Sequence, residues 1–138
     1  MANKYLNQFQ YTYEKDTVTL YGEFTVGASG AVTANTVKGG GLSGVVKEST
    51  AGQYSITLSD YFQRILFVEA LNVDDAVSAW ASVAVLEDPS ALQTDFKADK
   101  TFKIQLQDYA GAAVNATSGA QIKLKITCRN TTVGPYDA

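Results

Sequence analysis

The sequence predicts an all-β chain: a single-domain β-sandwich or jelly roll of mainly antiparallel strands. Three observations carry that expectation. Apolar residues recur at every second position in one segment after another. Turn signals punctuate the chain at short intervals. Thr, Val, Tyr and Phe, which suit a pleated surface, are spread throughout.

The elements follow in chain order. Phe9, Tyr11 and Tyr13 alternate with Gln10 and Thr12. Val18, Leu20, Phe24 and Val26 take one face of the next strand, and Thr17, Thr19, Tyr21, Glu23 and Thr25 the other. Tyr54, Ile56 and Leu58 alternate with Ser55 and Thr57. Phe102, Ile104 and Leu106 alternate with Lys103, Gln105 and Gln107. Ile122, Leu124, Ile126 and Cys128 alternate with Gln121, Lys123, Lys125 and Thr127. Successive side chains of a strand point to opposite faces, so each segment has a dry face and a wet one, as in antiparallel sheets covered on one side.

Ile65–Leu71 and Trp80–Leu86 are more continuously apolar; either could be helix, but each is short and Val83 and Val85 in the second disfavour one, so both read as strands covered on both faces. Turns are expected at Gly27–Gly30, Gly39–Gly41, Ala51–Gly52, Asp88–Ser90, Ala110–Gly111 and Ser118–Gly119. One helical turn each fits near Asp60–Arg64 and Ser90–Asp95. Roughly eight to ten short strands with such turns suit a sandwich or jelly roll. The pattern aromatic-x-Ile-x-Leu-x-Asp-Tyr occurs twice, at Tyr54–Tyr61 and Phe102–Tyr109. It reads as two equivalent strand ends, one in each sheet, where an Asp carboxylate bonds the backbone ahead and starts a turn.

The 138 residues suit one domain, with residues 1–8 a polar N-terminal arm and 132–138 a short C-terminal tail. Residues 1–13 contain no apolar core of a signal peptide, and no apolar run reaches membrane-span length. Synthesis in a cytoplasm and no membrane partner are therefore expected. The N-x-T matches at Asn115 and Asn130 are expected to be chance. The net charge of −3, with scattered Lys and Arg of which Lys123 and Lys125 come nearest to a cluster, disfavours nucleic acid as a partner.

Absent residues narrow the chemistry. The chain has no histidine and one cysteine. A Ser-His-Asp or Cys-His arrangement cannot be assembled, nor a thiolate metal site. Cys128 cannot form an internal disulfide and reads as a small core residue. Asp60, Asp74, Asp75, Glu87, Asp88, Asp95, Asp99 and Asp108 could in type supply a glycosidase pair, yet none lies in a motif and most fall in turns. Asp74-Asp75 and Glu87-Asp88 lack the spacing of a calcium loop. The glycine run Gly39–Gly41 lacks the following Lys-Ser or Lys-Thr and the helix of a phosphate loop. No catalytic residue, cofactor or metal site is assigned.

Aromatic residues remain as candidate partner contacts: Phe9, Tyr11, Tyr13 and Tyr21. Aromatics on a wet face seal protein contacts or stack on sugars. Trp80, the sole tryptophan, reads as a core anchor.

The segment GVVKESTAGQYSITLSDYFQRIL, Gly44–Leu66, and the run IKLKITCRNTTV, Ile122–Val133, resemble strand-and-turn segments of small structural proteins of tailed-phage virions. The aromatic N-terminal segment has no counterpart there. The resemblance implies a virion component, made in the host cytoplasm, whose role in the family varies between head decoration, head fibre and tail parts. The expectation is a non-enzymatic capsid decoration (cement) protein. It would self-associate, as a homotrimer, and bind the major capsid protein or other virion proteins at the capsid surface. The N-terminal arm is the candidate for strand addition to a neighbour. A tail-fibre receptor- or glycan-binding domain is the first alternative, a carboxylate-driven glycosidase the second.

Overall fold

The computed structural model of the chain describes residues 17–62, 64–75, 80–86 and 100–129. Among the described residues seven strands form two antiparallel sheets: β1 Thr17–Thr25, β2 Leu42–Lys47, β3 Gln53–Leu58, β4 Arg64–Val73, β5 Ser82–Val85, β6 Thr101–Gln107 and β7 Gln121–Arg129. One sheet has the order β1-β7-β4, the other β2-β3-β6-β5. Of the two architectures expected, the sandwich is the one these strands form.

The period-two pattern sets the core. Phe24 of β1, Val26 just after it, the even-numbered apolar residues of β3 and β6, and Ile122, Leu124, Ile126 and Cys128 of β7 are all buried between the sheets. Each large side chain so buried contributes about 1.5–3 kcal/mol. Tyr54 is wholly buried, its ring tilted against Phe24 at 5.1 Å and its hydroxyl donating to the Gly30 carbonyl at 2.8 Å. Burial pushes that phenol up to about 12 and the Cys128 thiol up to about 12, so both stay protonated in neutral solution. Cys128 is the core residue its alternation predicts.

Two glycines carry close approaches. The loop from β1 to β2 folds back along β1. Glu23 and Lys38 exchange backbone hydrogen bonds of 2.8 and 2.9 Å, and the Thr33 N–H donates to the Thr25 carbonyl at 2.9 Å. At Gly39 φ is +121°, and a Cβ there would lie 2.2 Å from the Tyr21 carbonyl oxygen. The glycine run is thus a turn, as expected, pressed against a strand. At Gly52, φ +67°, a Cβ would lie 2.2 Å from the Val114 carbonyl oxygen. The Gly52 N–H donates at 2.7 Å to Oδ1 of Asn115, so the carboxamide of that N-x-T match holds a turn far away in sequence.

The repeated motif is placed differently from expectation. Both copies lie in the same sheet, because β3 and β6 are paired neighbours, with Tyr54 opposite Ile104 and Ile56 opposite Phe102. The two copies meet antiparallel about Ser55 and Lys103, each aromatic beside the other's isoleucine. The Asp turns form as expected. Asp60 Oδ1 accepts from the Tyr61 N–H at 2.8 Å. Asp108 Oδ1 accepts from the N–H groups of Ala110 and Ala112 at 2.8 and 2.9 Å.

Other expectations change. Residues 60–62 form no helical turn, and the one 3-10 turn among the described residues lies at Ala28–Gly30 instead. Ile65–Leu71 is a strand but is not covered on both faces. As an edge strand it has one side on the core and the other in solvent, with Phe67 57% and Leu71 62% exposed. Of Trp80–Leu86, only 82–85 is strand, and Leu86 is exposed. The turn at Asp88–Ser90, the helical turn at Ser90–Asp95, Asn130, the N-terminal arm and the C-terminal tail lie outside the described residues.

Candidate functional site

The outer face of the β1-β7-β4 sheet is built by three strands whose wet sides agree in register. Tyr21 and Glu69 flank Lys125 on either side, Glu23 and Leu71 flank Lys123, and Thr19 and Phe67 flank Thr127. β4 keeps its outward side chains aligned despite a β-bulge at Leu66: Ile65 lies opposite Cys128 and Phe67 opposite Thr127. The extra residue absorbs one step of alternation. It leaves Leu66 exposed while Phe67, Leu71 and Val73 all point outward, exposed to solvent.

Tyr21, the described member of the predicted contact set, is where alternation places it, 65% exposed on this face. Phe9, Tyr11 and Tyr13 lie outside the described residues. Phe67, Leu71 and Val73 were not singled out by the sequence reading, because an apolar run on both sides of a strand reads equally as a doubly covered one.

The acids and lysines in the central rows of the face balance. Lys123 Nζ donates to Glu23 Oε2 at 2.9 Å, an exposed ion pair. That hydrogen bond, and the ammonium charge behind it, hold the Glu23 carboxyl below its ordinary 4.5. Glu69 and Lys125 are directly opposite each other across β4 and β7, yet form no ion pair. A groove of about 600 Å3 is lined by Val68–Leu71 of β4, Lys123–Lys125 of β7, Tyr21 of β1 and the stretch Trp80–Val83 leading into β5. Trp80 packs partly against the core, as an anchor does, and its Nε1 is buried without a hydrogen-bond partner.

Among the described residues no three carboxylate or thiol groups lie close enough to hold a metal ion, and no helix is long and apolar enough to cross a membrane. The face offers aromatic and aliphatic surface, hydroxyls, two acids and two lysines. Comparison of the chain with family models, curated proteins and solved structures finds no match.

Proposed function

We propose that this chain is a non-enzymatic structural protein of a tailed-phage virion, a decoration (cement) protein at the capsid surface that acts through self-association and contacts to other virion proteins. One observation carries the contact reading: Tyr21, Phe67, Leu71 and Val73 stand exposed together on one sheet face. The virion assignment rests on the resemblance of Gly44–Leu66, which covers most of β2, all of β3 and the start of β4, and of the run beginning at Ile122 in β7.

The face suits a second copy of itself. Its central rows carry two acids and two lysines, which balance and can pair across two copies, with two arginines set apart at one end. A two-fold axis along the seam between β4 and β7 would lay Lys125 of each copy over Glu69 of the other, because the two are directly opposite in register. Three strands about 14 Å across and about 31 Å long offer roughly 430 Å2 per copy. Two such faces bury about 900 Å2, short of the roughly 1,200–2,000 Å2 of a stable interface. One contact is therefore transient, and an array of copies on a shell supplies the avidity. A three-fold association would need a second, heterologous surface.

Two measurements test this. The copy number of the chain in purified particles comes first. A number comparable to that of the shell protein supports the capsid surface, a number typical of a tail part moves the assignment to the tail, and absence overturns it. For the contact, E69K and K125E should each be monomeric at high concentration, and mixing the two should restore association. Internal closure of the Glu69–Lys125 pair would not produce that rescue.

A glycan-binding tail domain is the second reading, favoured by the groove that has Tyr21 and Trp80 in its lining. A sugar that raises the melting temperature saturably, with the rise lost in Tyr21→Ala, would select it.

A further inference from the structure

At one end of the same outer face the register sets two arginines side by side. Arg129, the last residue of β7, is directly opposite Arg64, the first of β4, and opposite Thr17 on its other flank. Directly opposite residues have Cβ atoms about 4.5–5.5 Å apart, and like charges there repel. Arg129 is the one buried charged or polar residue among those described, 7% exposed. The Nε atoms of both Arg129 and Arg64 are withdrawn from water with no hydrogen-bond partner.

A buried guanidinium nitrogen without an acceptor is costly, and two side by side more so. Among the described residues no acid on this face compensates. Glu69 lies opposite Lys125, four residues along β7 from Arg129, about 14 Å away at the rise of a strand. Glu23 is farther along and already holds Lys123. The next row toward the centre presents Thr19 and Thr127, hydroxyls rather than carboxylates.

From this juxtaposition we infer that Arg64 and Arg129 form an oxyanion site, which takes a phosphate or carboxylate group between the two guanidinium forks. The planar fork matches the two oxygens of such a group, and an anion bridging both side chains cancels their repulsion and fills the empty Nε donors. Thr127 is placed one row away to add a hydroxyl donor. The site lies on the face proposed for protein contact but does not depend on that reading. A carboxylate from a neighbouring protein and a free phosphate would satisfy the same chemistry.

The test is thermal melting of the full chain in a buffer poor in oxyanions, titrated separately with inorganic phosphate and with acetate, and against sodium chloride at matched ionic strength. Phosphate, acetate or both should raise the melting temperature saturably, by about 5 °C near saturation. Phosphate as the tighter probe points to a phosphate ligand, acetate as the tighter to a partner's carboxylate. R64Q should weaken binding at least tenfold. R129M should abolish it and, in the oxyanion-free buffer, melt no lower than the parent chain, because it removes a buried unpaired charge. R129K, which keeps the charge but lacks the fork, is the companion should R129M not fold, and it too should lose most of the response. A rise no larger than that in chloride, or an equal rise in R64Q and the Arg129 variant, overturns the inference.

Discussion

β1 and β4 flank the same central strand, yet their free edges are treated in opposite ways. Along the C-terminal half of β1 the chain folds back on itself. Lys38 pairs with Glu23, Thr33 with Thr25, and Gly39 lets the loop press against the Tyr21 carbonyl. β4 is longer, at ten residues, and among the described residues it pairs with β7 alone. Four of its apolar side chains, Leu66, Phe67, Leu71 and Val73, are exposed. A long apolar edge is a template for unwanted pairing unless something covers or uses it. The contrast teaches that the chain's own loop covers one edge of this sheet, while among the described residues the other edge stays open beside an apolar outer face.

Substitutions separate the two edges by size of effect. The largest loss belongs to the strand they share. Ile126→Ala in β7 removes a wholly buried side chain between them and should cost about 2–5 kcal/mol in denaturant unfolding. Gly39→Val should cost about 3 kcal/mol, since it forces a branched residue to positive φ and drives its Cβ into a backbone carbonyl. Were it as mild as a surface change, the finished edge of β1 would not matter and the comparison would break. Tyr54→Phe, which strands the Gly30 carbonyl, should cost about 1–2 kcal/mol. Leu71→Lys on β4 should change stability by no more than about 0.5 kcal/mol while reducing association in sedimentation at high concentration. A large stability loss there would mean that Leu71 serves the fold and not a contact.

The pH dependence is the mildest probe. Cys128 and Tyr54 hold their protons to about pH 12 when folded, against ordinary values of 9.0 and 10.0. Above pH 9 the unfolded chain releases protons that the folded chain keeps, so stability should fall as pH rises from 9 toward 12. The Cys128 thiol should also resist a thiol reagent until the protein unfolds. Glu23 has the opposite sign. Its carboxyl lies below 4.5 when folded, so its contribution is present above pH 4.5 and fades as the solution is acidified. Glu23→Gln should flatten that small acid-side slope in melting temperature.

Much of this was legible from alternation alone. The inward sets of β1, β3, β6 and β7, the core position of Cys128, the outward Tyr21 and the Asp60 and Asp108 turns all follow from period two and Asx chemistry. The pairing of β3 with β6 was not, because a local pattern carries no information about which sheet a strand joins. The exposure of Phe67 and Leu71 was hidden for a related reason: apolar residues on a strand's second side look the same whether another layer or another molecule covers them. The Arg64–Arg129 contact and the Asn115 clamp on Gly52 join residues 65 and 63 positions apart, and only the fold brings them together.

The order in which the strands are made has a consequence of its own. β7 lies between β1 and β4 but follows both in the chain. As the ribosome delivers the polypeptide, those two strands emerge without the neighbour they share, and the greasy flank of β4 must wait unpaired until the residues beyond Gly119 are out. The nascent chain therefore passes through an interval in which it is most prone to clump with its siblings, and slowing elongation between β4 and β7 should lower the yield of folded protein.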